Sequence, residues 1–369
     1  MRRIAIVVVA STMSLSLAGC GMMGASENTG SATPTRSNDI TVGVLMPETT
    51  NTRYVNFDYP IIKKKVAELT ENKGKTEYRN AAGSTKTQNS QVQRMIDEKI
   101  DIILLDAVDA KAIAPMVRKA KEAGIPVIAY DRLAQGPIDA YVSFDNELVG
   151  EVQGRTLAEA IGNVSLADKI VMVNGSPTDP NAGQFKEGAL SELNGRVTIA
   201  KSYDTVNWNP DIAQASMTKA IDAIGKNNIA GVYSANDAMA AGIIKALEAA
   251  GVSDSDLPPI TGQDAELPAV QRILSGEQYM SVYKPYPDMA EAAAEAAVAK
   301  VQGRDLQFEA LTRDKVDSPT NKEIPAKLVT VVALTKTNIK QTVVADGIYK
   351  IADICTNKYK SACQAAGLL

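Results

Sequence analysis

The apolar run Ile125–Ala129 ends in Tyr130-Asp131-Arg132, which sets a carboxylate beside a guanidinium at the close of a strand-forming segment. In an open α/β sheet, ligands bind in the crevice outside the carboxyl ends of the strands, so the pair is placed to meet a small polar molecule. Two chemistries suit it. As an acid and base it would do catalysis; as a hydroxyl reader, Asp131 accepts while Arg132 donates through its fork. A guanidinium neighbour keeps the carboxylate ionised, which favours the acceptor over the general acid. Other chemistry-bearing residues fall at comparable places. Trp208, the single tryptophan, lies between a strand and a helix, where an indole either fills a core or covers an apolar ring face. Asn181 precedes a helix and fits a ligand or an N-cap; Asn236 and Asp237 follow the run Gly231–Ser234, and Asp237 could also cap a helix from Ala238. Asp264 and Lys284 follow two further short runs, and a hinge salt bridge is the alternative for Lys284.

Composition removes several chemistries. The chain has no histidine, so Ser-His-Asp and Cys-His nucleophiles, histidine-ligated zinc and imidazole bases are excluded. No motif implies a cofactor. Catalysis would fall to carboxylates (Asp131, Asp237 and Asp264) or to Lys284, as in a carboxylate-based glycosidase or a Schiff-base aldolase. The 39 basic and 43 acidic residues are interspersed, for a net charge of −4, without the basic footprint of a nucleic-acid binder.

The first residues read as an export signal. Arg2 and Arg3 precede an apolar stretch from Ile4 to Leu17, too short and interrupted to span a membrane, which runs into Leu17-Ala18-Gly19-Cys20. That ending resembles the bacterial lipobox and implies lipidation at Cys20, with the mature protein anchored outside the cytoplasm. Residues 21 to 38 have the composition of a flexible tether. Cys355 and Cys363 suit a local disulfide in an exported chain; the reading expects it to close a terminal loop (355–369) with no part in function.

From Ile40 onward, short β-branched runs alternate with segments of helical spacing, a rhythm that implies βαβ units and a doubly wound, mostly parallel sheet. The pattern restarts after Val142, so the fold class is α/β with two doubly wound parallel-sheet lobes facing each other across a cleft.

Six segments carry a resemblance: Ala129-Tyr130-Asp131-Arg132, Val142-Ser143-Phe144-Asp145-Asn146, Gly175-Ser176-Pro177, Ser234-Ala235-Asn236-Asp237, Gly262-Gln263-Asp264-Ala265 and Val282-Tyr283-Lys284-Pro285. In this order and spacing, from about Ile40 to Val344, they resemble the pentose- and hexose-binding proteins of ABC importers. The resemblance implies a type I periplasmic binding protein with three hinge crossovers. Lobe 1 would take 40–143 and 265–315, and lobe 2 would take 144–264 and 320–354, with hinges near Ser143-Phe144, Gln263-Asp264 and Ser318-Pro319-Thr320. It also implies a ligand set of Arg53, Tyr54, Asp131, Arg132, Asn181, Trp208, Asn236, Asp237, Asp264 and Lys284 around a monosaccharide, xylose or a similar aldose. Tyr54 stands where relatives often carry Trp, and Asp58 would orient Arg53 instead of touching sugar. The partners implied are a permease and an ATPase, with the chain a monomer; a receptor that reports to a sensor shares the same fold. Alanine at Asp131 or Arg132 is expected to abolish binding and leave the fold intact.

Overall fold

A computed structural model describes residues 37–369. The expected export segment and Cys20 lie outside the described residues, as does most of the expected tether. Ser37 and Asn38, which that reading placed in the tether, are tied to the folded part: Gln302 Nε2 donates to the Ser37 carbonyl (3.1 Å) and to Asn38 Oδ1 (2.8 Å).

The first half alternates strictly: β1 (Thr41–Met46), α1 (Tyr59–Leu69), β2 (Lys75–Asn80), α2 (Thr85–Asp97), β3 (Ile102–Leu105), α3 (Ala114–Glu122), β4 (Val127–Tyr130) and β5 (Ala140–Phe144). β1, β3, β4 and β5 are almost wholly buried and apolar, as a sheet covered on both faces requires, while β2 is a half-buried edge. Then come α4 (Asn146–Ile161), β6 (Lys169–Asn174), α5 (Pro180–Leu193), β7 (Thr198–Asp204), α6 (Pro210–Ile224), β8 (Gly231–Ser234), α7 (Asp237–Ala249), α8 (Leu267–Ser275), β9 (Ser281–Tyr283) and α9 (Tyr286–Val301). Three strands close the series: β10 (Asp314–Val316), β11 (Ile324–Val329) and β12 (Val332–Leu334).

Pairing divides these into two lobes. Lobe 1 is a seven-stranded sheet in the order β10-β11-β5-β4-β3-β1-β2, parallel except for β10. Lobe 2 has the parallel order β7-β6-β8. It continues through Ile260–Asp264, which bridges Val232 on one side and Val282 of β9 on the other, and ends with β12 antiparallel to β9. Lobe 1 buries apolar clusters on both faces of its sheet, around Val44, Ile102 and Met289 on one and Leu45, Ile103 and Val117 on the other. Lobe 2 packs around Val171, Tyr233 and Leu247.

The chain leaves the lobe 1 sheet after Phe144, at Phe144-Asp145, next to the hinge placed near Ser143-Phe144. The other two crossovers lie away from their expected places. The expected hinge at Gln263-Asp264 is held inside lobe 2 by the hydrogen bonds Val282 N to Gly262 O and Asp264 N to Val282 O, both 2.9 Å. Residues 265–283 therefore stay in lobe 2, and the chain crosses at Lys284-Pro285, after which α9 packs on α1. Ser318-Pro319-Thr320 is no hinge either: it turns β10 back onto β11, and β11 pairs in parallel with β5, so 314–329 belongs to lobe 1. The third crossover is between Val329 and Val332. Cys355 and Cys363 are joined (Cα–Cα 5.9 Å), and Cys363 is buried within the apolar cluster of lobe 1, so this segment is part of the folded body and not a loose tail.

Candidate functional site

Strand carboxyl ends from both lobes converge on one crevice. It encloses about 330 Å³, mouth included, and is lined by Glu48, Asn51, Arg53, Tyr54, Asp131, Arg132, Asp179, Asn181, Phe185, Trp208, Asn236, Gln263, Asp264 and Lys284.

Arg53 is the electrostatic centre of the lobe 1 wall. It follows the β1 loop, where Glu48 accepts from the backbone N–H groups of Thr50 and Asn51 and shapes the turn. Its Nε meets Asp58 Oδ2 at 3.0 Å, and one terminal nitrogen meets Asp131 Oδ2 at 2.5 Å while the other is 3.7 Å from Asp264 Oδ1. The guanidinium lies over the rings of Tyr54, Tyr286 and Phe144 at 5.0, 5.2 and 5.8 Å, a cation–π box. Burial works against this charge, but Asp131 and Asp58 outweigh it and raise the Arg53 pKa well above its ordinary value. Asp58, hydrogen-bonded by the Tyr130 hydroxyl, orients Arg53 from behind and does not line the crevice.

Asp131 leaves β4 with φ 59°, a left-handed conformation unusual for a side-chain-bearing residue. The turn is fixed by its own carbonyl, which accepts from Tyr141 Oη and Ser143 Oγ (both 2.7 Å) and from Asn181 Nδ2 (3.0 Å). Burial disfavours its charge, yet Arg53 first, then Lys284 and Arg132, hold the Asp131 carboxyl below the usual range. The ionised acceptor expected from the sequence is present, but Arg53 and not the adjacent Arg132 is its principal cation. Arg132 turns to Asp179 (2.9 Å) and Asp106 (3.5 Å) and donates to the Ala107 carbonyl (3.1 Å). Both members of the pair are buried, at 5% and 6% exposure. The expectation that either could be cut to alanine with the fold intact is therefore corrected, since each removal strands a buried opposite charge.

Lobe 2 supplies the facing wall. Asp179 N-caps α5 through Oδ1 to Asn181 N (2.9 Å), and its Oδ2 accepts from Trp208 Nε1 (3.1 Å). The cap considered for Asn181 thus belongs to Asp179, which frees the Asn181 amide to reach Asp131 Oδ1 across the cleft (3.2 Å). Trp208 sits in a tight turn at φ 54°, edge-on to Phe185 (centroids 6.2 Å). It is both core and wall. Its benzo ring crosses so close over Gly175 that a Cβ there would lie 2.1 Å from Cη2, which accounts for the glycine in Gly175-Ser176-Pro177. Asn236 caps α7 through Oδ1 to Met239 N (2.9 Å) and lines the crevice as well. At the second crossover, Lys284 Nζ is 2.8 Å from Asp264 Oδ1 and lies over Phe144 and Phe185 at 5.4 and 5.6 Å. Asn51 Nδ2 donates to Asp264 Oδ2 (2.9 Å), a bond that joins the lobes.

Nine of the ten expected ligand residues line the crevice, and Asp237 does not. It is fully buried and turned away, accepting from Gln278 Nε2 (2.7 Å), Ser281 Oγ (2.8 Å) and Glu266 N (3.0 Å), which ties α7 to β9 and the entrance of α8. Burial, reinforced by Asp264 and only partly offset by Arg272, pushes its pKa up to about 7. A carboxyl whose folded pKa is raised holds its proton in the native state; the stability it contributes is complete below the unfolded value near 4 and is lost as pH rises through about 7. The contribution of Asp237 to the unfolding midpoint of the unliganded protein is accordingly expected to fall between about pH 4 and 7, and Asp237→Asn to flatten that fall; an unchanged slope in scanning calorimetry would contradict this.

The residues missed from sequence are Glu48, Asn51, Asp179, Phe185 and Gln263. Asp179, Asn51 and Gln263 each neighbour an expected residue in a strand-end loop, a signal that was available. Phe185 sits on α5 at ordinary core spacing and gave none. The described walls hold an excess of acid. Glu48, Asp58, Asp106, Asp131, Asp179 and Asp264 are buried around the three cations Arg53, Arg132 and Lys284. Burial offsets part of it by raising Asp106 well above the ordinary carboxyl value, against the pull of Arg132. Among the described residues no cluster of carboxylates and thiols has the arrangement of a metal site.

The arrangement can hold a small, uncharged, many-hydroxyl molecule: paired donors and acceptors on both lobes, and ring faces for C–H surfaces. Residues 42–305 match the family model described as periplasmic binding protein domain. The chain belongs to the periplasmic binding protein family. Among its relatives, the D-xylose-binding periplasmic protein of Escherichia coli K12 is 36% identical over 286 residues, covering 74% of this chain and 82% of that protein. The multiple sugar-binding periplasmic receptor ChvE of Rhizobium radiobacter is 31% identical over 331 residues, covering 84% and 91%. Among solved structures, an ABC transporter solute-binding protein of Clostridium phytofermentans with bound β-D-glucose superposes with a TM-score of 0.76 at 26% identity, covering 85% of this chain and 99% of that one. The type I fold of the family explains why the crevice draws on the carboxyl ends of both sheets.

Proposed function

We propose that the chain is the extracytoplasmic solute-binding component of an ABC sugar importer and that it closes over an uncharged monosaccharide, D-xylose or a similar aldose. The observation that carries this reading is the crevice itself, where Arg53–Asp131 and Lys284–Asp264 face each other beside the Trp208 ring. Sugar hydroxyls would enter between these charges, with Asp131 and Asp264 accepting and Arg53, Arg132, Lys284, Asn181 and Asn236 donating, while Trp208 covers a C–H face and Tyr54 its edge. Asp237 is left out of this set and assigned to support of the second crossover. Cross-lobe bonds such as Asn51–Asp264 and Asn181–Asp131 are then contacts of the closed form. Sugar shifts the hinge only by its differential affinity for that form. The name of the Rhizobium relative supports a second use of the same site, as a receptor.

The protein works as a monomer with a permease and an ATPase, and lipid on Cys20 holds it at the outer face of the membrane. It binds without catalysis: Arg53 keeps Asp131 ionised, which removes Asp131 as a general acid. A panel of aldoses and ketoses in a thermal-shift assay is expected to raise the unfolding midpoint for a pentose or hexose, increasingly as free sugar exceeds Kd. Mass analysis is expected to recover that sugar unaltered. No shift across the panel at millimolar sugar, or a modified product, would overturn the reading.

A further inference from the structure

The terminal loop 355–369 was expected to have no part in function, yet the segment from Lys340 to Leu368 that includes most of it touches both sides of the hinge. Toward lobe 1, it buries Val343, Ile348, Ile354, Cys363 and Leu368 in the same apolar cluster as Tyr286 and Met289 of α9. Toward lobe 2, it meets α8, which packs on α7 and β9. Gln271 Nε2 of α8 donates to the Asp353 carbonyl (3.1 Å). The Tyr283 hydroxyl donates to Asp346 (2.8 Å) immediately before the crossover residue Lys284.

From Tyr349 a line of rings leads to the crevice. Its ring stands edge-on to Phe57 (centroids 5.8 Å), Phe57 stacks on Tyr286 (5.7 Å), and Tyr286 carries the Arg53 guanidinium (5.2 Å), which holds Asp131. We propose that this segment is a clasp across the second crossover and that Tyr349 is a positioning residue for Arg53, acting through Phe57 and Tyr286. The disulfide Cys355–Cys363 fixes the far end of the clasp by holding Cys363 in the core.

The inference rests on the monosaccharide reading for its affinity arm, so the test has two readouts: calorimetric Kd for D-xylose, and hydrogen exchange of the amides from Arg53 to Asp58 in the unliganded protein. Tyr349→Ala removes ring and hydroxyl and is expected to weaken D-xylose about tenfold and to speed that exchange. Tyr349→Phe keeps the ring on Phe57 and, as the control for the ring, is expected to match the wild type in both readouts. A purely structural tyrosine would lower the unfolding midpoint and leave both readouts of Tyr349→Ala at wild-type values, which would overturn the proposal. Should Tyr349→Ala not fold, Tyr349→Leu, which keeps apolar bulk and loses the ring, decides by the same two readouts. Should the wild type bind no D-xylose, the affinity arm uses whichever neutral sugar of the panel binds; should none bind, the functional reading fails separately and the exchange result alone judges the clasp.

Discussion

Arg53→Met is expected to lose D-xylose binding by more than a hundredfold and to destabilise the unliganded protein by about 3–5 kcal/mol, the usual cost of removing one partner from a buried ionic group. Two effects combine. Arg53 is the principal cation for Asp131 and the direct partner of Asp58, with Asp264 nearby, and all of them are buried, so its loss leaves three carboxylates competing for Lys284 and Arg132. The site also loses a planar donor that a methionine of similar length cannot replace. The double variant Arg53→Met, Asp131→Asn should recover part of the stability, because one stranded charge is gone, and none of the binding, because donor and acceptor are both missing. Urea unfolding and calorimetric titration measure the two effects. A single variant with near wild-type affinity would show that Arg53 only braces the loop.

Trp208→Ala carries the second large effect. The indole fills the lobe 2 core beside Phe185 and donates to Asp179, which in turn holds Arg132 at 2.9 Å. Truncating a buried tryptophan costs about 3–5 kcal/mol. Losing the ring that faces the crevice should weaken D-xylose by at least about tenfold beyond any effect on folding. Trp208→Phe separates the contributions: it keeps an aromatic face but releases Asp179, so its binding should fall between wild type and alanine. If alanine weakens the fold while phenylalanine and alanine bind D-xylose as the wild type does, Trp208 is core alone.

How much of this was legible in the sequence follows from which interactions are local. The strand-helix rhythm and the strand-end position of Asp131-Arg132 are local, and the structure reproduces them. So is the capping logic, although the alternative it offered at α7 was Asp237: Asn236 caps and lines the crevice, while Asp237 turns into the body to meet Gln278 and Ser281, partners some forty residues away. The second and third crossovers were misplaced for the same reason. Whether Gln263-Asp264 is a hinge or a strand depends on Val282, and whether 314–329 belongs to lobe 1 depends on β5, pairings that no local pattern records. Charge pairing was equally non-local. Sequence adjacency suggested Arg132 as the partner of Asp131, but the chain brings Arg53 there from 78 residues away. The C-terminal cysteines were read correctly as a local pair; their reach to the hinge depended on the packing of Tyr349 and Phe57.

The central claim is that the crevice closes over one neutral monosaccharide, and calorimetric titration with D-xylose, set beside D-glucose and a sugar acid of the same size, tests it most directly. The account predicts one site per chain, a negative heat-capacity change as apolar surface is buried, measurable binding of at least one neutral sugar, and none of the acid, which would add a carboxylate to walls already rich in them. Tighter binding of the acid, or no heat with either neutral sugar at millimolar concentration, would contradict it.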